Sequence, residues 1–300
     1  MSKHQNTHGT RAVLLTGASG GVGLPATRAL AERGYQVFAG VRNPAAFPTE
    51  GGAGATSRGT DAGPGVHPVR LDVTDPASVA AAVEAVAART GGALYALVNN
   101  AGIIVQGPME LVPAEELHRQ FEVNVYGPAR LTQACLPLLR RGGGRVANIT
   151  GGVARLPGPF FGAVSASKSA LQALSDALRL ELAYWDVPVV VLEPGGLDTD
   201  IFGKAAAAQQ KSNAGLPAES VALYAEQQRA VDQAMARVKP SSTGLLVDAI
   251  VTALDAAKPK ARYTIGSDVR LLGLLSRLPL RTRDRLLGGV MGLNKLKSAA

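Results

Sequence analysis

The 300-residue chain contains one cysteine, Cys135, and one tryptophan, and only 4% of it is aromatic. A single thiol excludes an internal disulfide and a cysteine-built metal cluster, and points to a reducing, cytoplasmic location. No apolar run reaches the ~20 residues that a spanning helix needs. Met1 to Arg11 is polar, without the apolar stretch of a secretory leader, and residues 1–10 read as a flexible N-terminus. Charge is also sparse, at 18% against 46% hydrophobic residues, which excludes disorder of the whole chain. The net charge is +8, and +6 of it lies between Arg270 and Lys297, where seven basic residues face one acid, Asp284. These charges sit among leucines with no stacking aromatics beside them, so nucleic acid is not an expected partner.

What is present is an alternation of two patterns. Ala12–Thr16, Gln36–Val41, Val66–Leu71, Leu94–Asn99, Arg145–Thr150 and Pro188–Glu193 are short apolar runs of strand type. Helical spacing fills Leu24–Arg33, Pro76–Thr90, Pro113–Arg140 and Ser165–Tyr184, with turn and capping residues such as Asp75-Pro76 and Gly142-Gly143-Gly144 at the ends. Such alternation implies right-handed crossovers and a parallel sheet covered on both faces. The expectation is an α/β, doubly wound, Rossmann-like single domain over 11–300, with about seven strands. Pro48–Gly65, rich in glycine, is expected to be a surface loop in place of a crossover helix. Ile201–Lys239 is helical and follows the sixth strand. It reads as an insertion, within 200–240, covering the carboxyl edge of the sheet.

The glycine turn Thr16-Gly17-Ala18-Ser19-Gly20-Gly21-Val22-Gly23 joins the first strand to the first helix. Gly17 permits a tight turn, Gly21 a close backbone approach to a pyrophosphate, and Gly23 close packing of helix on sheet. Free N–H groups and the helix dipole favour an anion there. Selection of NAD uses a carboxylate at the end of the second strand, about 20 residues on. That point holds Val41 and Arg42 with no acid, which favours NADP, a guanidinium being able to stack on adenine or pair with a 2′-phosphate. The alternative for Arg42 is a solvated surface side chain.

The Thr-Gly-x-x-x-Gly-x-Gly spacing resembles the short-chain dehydrogenase/reductase family. Further motifs agree in order and distance: Asp72 in Leu-Asp-Val, Asn99-Asn100-Ala101-Gly102, Asn124 in Phe-x-Val-Asn-Val, Lys168 in Ser-Ala-Ser-Lys, and Pro194-Gly195 with Thr199. Within the family the chain looks most like bacterial members related to retinol and 17β-hydroxysteroid dehydrogenases. The resemblance implies roles. Gly17, Ser19, Gly21, Val22 and Gly23 would meet the diphosphate and nearby ribose, Arg42 the adenosine phosphate, and Asp72 and Val73 the adenine. Asn99, Ala101 and Gly102 would line the ribose path, and Lys168 would hold the nicotinamide ribose. Gly195, Leu197 and Thr199 would meet the nicotinamide end. Asn124 and Lys168 would be the catalytic residues that remain.

The family reaction also uses a tyrosine four residues before the lysine, which exchanges the substrate proton, and a serine about thirteen residues earlier that polarises the carbonyl. Those positions are Val164 and Gly151. A general acid contributes ~10²–10⁴-fold, so ordinary ketone reduction should be crippled. Two readings follow. One is an NADP-binding oxidoreductase for a hydrophobic small molecule whose chemistry needs no tyrosine: reduction of a polarised C=C bond or an iminium, or a redox-neutral rearrangement. The other is a pseudoenzyme that binds cofactor or a partner without turnover. Thr150 and Ser165 are neighbouring hydroxyls, for which strand alternation and helix capping are the simpler roles. Val164, Gly151, Phe160, Phe161 and Ile104 are the expected substrate-site residues. Ile103, Val105 and the insert residues Leu216, Val221, Leu223, Tyr224, Val231 and Met235 add apolar lining.

In the tail, within 268–296, Leu271, Leu274, Leu275 and Leu278 recur at helical spacing, as do Leu286, Val290 and Leu293 beyond Pro279. Two roles suit such a basic amphipathic segment: covering the protein's own pocket and core, or weak contact with an anionic membrane surface. Association as a homodimer or homotetramer through the long helices would be usual for the family.

Overall fold

A computed structural model describes residues 11–48 and 65–296. Most of the glycine-rich loop and the flexible N-terminus expected at 1–10 lie outside the described residues. Seven parallel strands form one sheet: β1 (Ala12–Thr16), β2 (Gln36–Val41), β3 (Val66–Arg70), β4 (Ala96–Asn99), β5 (Arg145–Ile149), β6 (Val189–Pro194) and β7 (Arg262–Ile265), in the order β3-β2-β1-β4-β5-β6-β7. The helices are α1 (Gly23–Glu32), α2 (Pro76–Thr90), α3 (Ala114–Phe121), α4 (Gly127–Arg141), α5 (Gly162–Leu182), α6 (Ile201–Asn213), α7 (Ala218–Ala222), α8 (Ala225–Met235), α9 (Thr243–Asp255), α10 (Ser267–Leu275) and α11 (Leu280–Val290).

Strands covered on both faces are predominantly apolar, and β1 and β6 are buried at every position, with Thr16 and Glu193 their polar exceptions. On one face Ala26 and Leu30 of α1 and Leu246, Ile250 and Leu254 of α9 pack over Val13, Leu15, Val37 and Val190. On the other, Val79 and Val86 of α2, Leu131 and Leu139 of α4 and Leu182 of α5 pack over Leu14, Phe38, Leu97 and Val146. Each such side chain contributes roughly 1.5–3 kcal/mol of burial. Chain order reverses beside β1, whose neighbours are β2 and β4. The crevice at the carboxyl ends of the strands there is where an open α/β sheet takes ligands.

Two expectations are corrected. The stretch Pro113–Arg140 is not one helix: a π-helical turn, Glu122–Tyr126, separates α3 from α4. Pro128 has no N–H to offer the Asn124 carbonyl four residues back, and the widened turn absorbs the mismatch. Ser165 does not cap α5, which starts at Gly162; the serine is buried in its first turn and its hydroxyl has no hydrogen-bond partner among the described residues. Within the insertion Ile201–Lys239 the helices are α6, α7 and α8.

Candidate functional site

The glycine turn is assembled by contacts from β4. Gly17 adopts φ +64°, and a Cβ there would lie 2.9 Å from the Cα of Ala101. Asn100 fixes the pair: its Nδ2 donates to the Thr16 carbonyl at 2.9 Å and the Gly17 carbonyl at 3.2 Å. The Thr16 hydroxyl accepts the N–H groups of Asn100 and Ala101 at 3.0 and 2.9 Å. A side chain at Gly23 would collide with the Gly17 carbonyl, and one at Gly21 would meet Thr199 Cγ2 at 2.9 Å. The structure therefore brings Gly17, Gly21, Gly23, Ala101 and Thr199 together. Ser19 and Gly21 are exposed, Val22 precedes α1, and the turn leaves a cradle that a Cβ would fill at the positive end of that helix. Such a cradle fits a diphosphate.

Asn124, Gly102 and Lys168 also converge. A Cβ at Gly102 would sit 3.4 Å from Asn124 Oδ1 and 3.6 Å from Lys168 Nζ. Asn124, carried on the π turn, clamps Ile103: its Oδ1 accepts from the Ile103 N–H at 2.9 Å and its Nδ2 donates to the Ile103 carbonyl at 3.0 Å. Lys168 Nζ donates to the Ile149 carbonyl at 2.7 Å. The lysine is half-buried as a side chain, but its amine end is enclosed, and burial lowers its pKa to about 8.

Val164 lies one turn before Lys168 and is 4% exposed. Its carbonyl accepts from the Ser167 hydroxyl at 2.8 Å. Gly151 follows β5 with φ 146° and ψ 162°, a region that only glycine occupies readily. Thr150 is turned away, its hydroxyl directed at the Leu192 carbonyl.

At the other end of the crevice, Asp72 accepts from the Thr74 N–H at 3.0 Å and from its hydroxyl at 2.7 Å. Burial raises its pKa, but these bonds and the charges of Arg42 and Arg70 outweigh that, so the carboxyl ends below its ordinary value. Arg42 is thus close enough to feel Asp72, and it is exposed. Val73 packs against Gly127, and its carbonyl accepts from Arg130 at 2.7 Å. The Asn99 side chain faces away from the crevice. It is 3% exposed and donates to Asn148 Oδ1 at 2.8 Å and to the Thr132 hydroxyl at 3.2 Å.

A cavity of about 400 Å³ opens beyond Leu197 and Thr199. Phe160 and Phe161 line it, with Phe202 and Ala206 of α6 and Val231 and Met235 of α8. Ile104 borders a separate hollow of about 10 Å³ instead, together with Val105. Val164, Gly151, Ile103, Leu216, Val221, Leu223 and Tyr224 are not on the large cavity's lining, and Leu223 is 69% exposed. Tyr224 packs edge-on to Phe160 and donates to Glu110, which raises its pKa. Gly195 packs against the Asp268 carboxylate.

Two supporting residues escaped sequence reasoning. Asn100 is one, although its place in Asn-Asn-Ala-Gly was a usable signal. Gln120 is the other, and nothing in its surroundings marked it. Fully buried, it accepts from the Val105 N–H at 2.6 Å and donates to the Ile103 carbonyl at 3.0 Å and the Ser167 hydroxyl at 3.2 Å. It ties the segment after β4 to α5.

Comparison with known proteins agrees with this architecture. The family model "short chain dehydrogenase" matches residues 11–211. An uncharacterized oxidoreductase of Escherichia coli, YbbO, is 31% identical over 281 residues, 93% of this chain and 94% of that one. An NADPH-dependent 3-dehydrocapnine reductase of Ornithobacterium rhinotracheale is 34% identical, covering 85% of this chain and 88% of its own. The crystal structure of a short-chain dehydrogenase from Burkholderia cenocepacia in complex with NADP superposes with a TM-score of 0.68 at 26% identity, over 93% of this chain and 97% of that one. With the family model matching two-thirds of the sequence and the motifs in place along the sheet, the chain belongs to the short-chain dehydrogenase family.

Proposed function

We propose that this protein binds NADP and works as an oxidoreductase on a hydrophobic small molecule, by chemistry that needs neither the tyrosine nor the serine of its relatives. The observation that carries the reading is the meeting of the glycine turn, Gly102, Asn124 and Lys168 at the switch point, beside a cavity walled by phenylalanines and aliphatic side chains. Gly17, Ser19, Gly21, Val22 and Gly23 would hold the diphosphate, Asp72 and Val73 the adenine, and Ala101, Gly102 and Lys168 the ribose. Gly195, Leu197 and Thr199 would flank the nicotinamide. Asn99 acts from behind, by fixing β4 to α4 and β5. Arg42, exposed and with no carboxylate on its own strand end, supplies the charge for a 2′-phosphate, in keeping with an NADPH-dependent relative and an NADP-bound structural neighbour.

Bound NADPH supplies a hydride. The residues of the chain do the rest. Asn124 and Gln120 hold the Ile103–Val105 segment, and α6 and α8 of the insertion wall the cavity. The Lys168 ammonium, with a pKa near 8, carries a proton that it releases more readily than an exposed lysine would. With valine at 164 and glycine at 151, no hydroxyl at either position polarises a ketone. A substrate already electron-poor at the accepting carbon, such as a polarised C=C bond or an iminium, has no need of one. A redox-neutral rearrangement suits the same site. The absent hydroxyls also suit a pseudoenzyme that binds cofactor without turnover. A cytoplasmic location suits the single buried thiol. Exposed Leu174, Leu180, Tyr184 and Trp185 on and after α5 offer a face for a homodimer or homotetramer.

Fluorescence titration with NADPH and NADH tests the cofactor reading. Tighter binding of NADPH, followed by turnover of an activated alkene or iminium, is expected. No affinity for either dinucleotide refutes it, and binding without turnover across these substrates selects the pseudoenzyme.

A further inference from the structure

The tail after β7 shows an unusual surface. Leu271 is 57% exposed, Leu274 63%, Leu280 61% and Val290 69%, and Leu278 and Leu286 are exposed as well. Leu271 and Leu274 fall on one side of α10, with Arg270 at its border, and Arg277 and Leu278 follow in the turn after it. Beyond Pro279, Leu286 and Val290 are one turn apart, with Arg281 and Arg285 one turn apart beside them. Arg270, Arg277, Arg281 and Arg285 form no ion pair among the described residues; Arg283 reaches only its neighbour Asp284. A monomeric surface rarely spends this many leucines on solvent. Covering the protein's own core explains only part of the segment: Val269 is fully buried, and it and Leu272 pack against Gly152, whereas the leucines named above do not.

We propose that α10 and α11 are a docking surface for an anionic lipid bilayer. The charge is complementary, and the leucines supply the apolar side that would enter the headgroup region in the plane of the membrane. Neither helix is long and apolar enough to cross a membrane. The tail is also braced on the cavity walls. Gly292 faces Ala230 of α8, and Met291 approaches the backbone at Gly158, just before Phe160 and Phe161. Docking therefore sets the cavity beside the lipid phase, from which an apolar substrate would enter. That consequence rests on the function proposed above; the attachment itself does not.

The test is cosedimentation of the full-length, cofactor-free protein with vesicles of phosphatidylcholine alone and of phosphatidylcholine with one-third phosphatidylglycerol, at low and high salt. Binding to the mixed vesicles, weakened by salt, is expected. Each basic residue near an anionic surface strengthens attachment about fivefold, so Arg277→Glu with Arg281→Glu should lower it by at least about twentyfold. Leu274→Ser with Leu278→Ser should lower the binding that survives salt, by roughly tenfold per leucine. All four side chains are exposed, and circular dichroism confirms that the variants stay folded. Absence of vesicle binding, equal binding to neutral and anionic vesicles, or indifference to both variant pairs overturns the proposal. So does a change of oligomeric state in the leucine variant without vesicle binding, which would assign the surface to a second copy of the chain. Loss of NADPH affinity or turnover leaves these readouts untouched and bears only on the proposed reaction.

Discussion

Placing hydroxyls at positions 164 and 151 separates the chemistry of Val164 from the backbone of Gly151. At Gly151 a Cβ has room, its nearest neighbours being the Pro194 carbonyl at 3.5 Å and Val153 Cγ2 at 3.8 Å. The obstacle is the backbone at φ 146° and ψ 162°, where a non-glycine residue costs about 1–3 kcal/mol. In a chain of this size that lowers Tm by about 2–5 °C. Val164 is in ordinary helix, so Val164→Tyr meets no such backbone penalty; the larger ring in a site 4% exposed costs about 1–3 kcal/mol of overpacking. Val164→Tyr alone should gain ketone or aldehyde reduction by ~10²-fold or more, since it places a phenol one turn before Lys168. Gly151→Ser alone should gain little and lose stability. The double variant should carry the combined stability loss and a further gain in rate. The assay is NADPH oxidation with a small set of ketones, beside thermal unfolding of each variant. A Gly151→Ser protein as stable as the parent refutes the backbone argument, and a well-folded, NADPH-binding Val164→Tyr protein without carbonyl activity refutes the chemical one.

Arg42→Ala should weaken NADPH binding by about ten- to a hundredfold and leave NADH nearly unchanged, and equal loss for both in the titration contradicts the phosphate contact. Glu193 is fully buried between Arg155 and Arg262, the latter at 2.8 Å. Glu193→Ala leaves the Arg155 guanidinium uncompensated, while Arg262 keeps Asp176 at 3.0 Å; it costs ~3 kcal/mol and should lower Tm by about 5 °C, and an unchanged melting curve would remove the cluster from the fold's support. Gln120→Leu, which breaks two hydrogen bonds from α3 to the Ile103–Val105 segment and one to Ser167 of α5, should weaken NADPH binding while the far-ultraviolet dichroism stays native. Wild-type affinity would show that Gln120 positions nothing. The lowered pKa of Lys168 means that the folded chain holds fewer protons than the unfolded one between about pH 8 and the ordinary lysine value. Stability should therefore gain a rising contribution with pH through that window, measured by urea titration, and Lys168→Met should abolish it.

The fold was legible because its signals are local. Period-two and continuous apolar runs set β1 and β2 to the residue, and Asp75-Pro76 set the start of α2. The glycine turn, the Asn-Asn-Ala-Gly segment, Asn124 and Lys168 could be read because each is a fixed spacing of residue types. The break at Glu122–Tyr126 was not read, because helical periodicity continues through it and only the missing N–H of Pro128 gives it away. Gln120 was invisible for a different reason: one polar residue among the several of α3 reads as solvated until a second element is laid over it.

The chain's own order of residues determined the doubly wound class, the dinucleotide-type turn and the presence of valine and glycine at 164 and 151, since these depend on side-chain type and short spacing. Tertiary structure alone decided the rest. It placed Ile104 outside the large cavity, turned Asn99 to the back of the sheet, held Gly151 in a glycine-only conformation and left the tail leucines on the surface. These are questions of which face a side chain presents and what packs against it, and they are set by contacts between residues far apart in sequence.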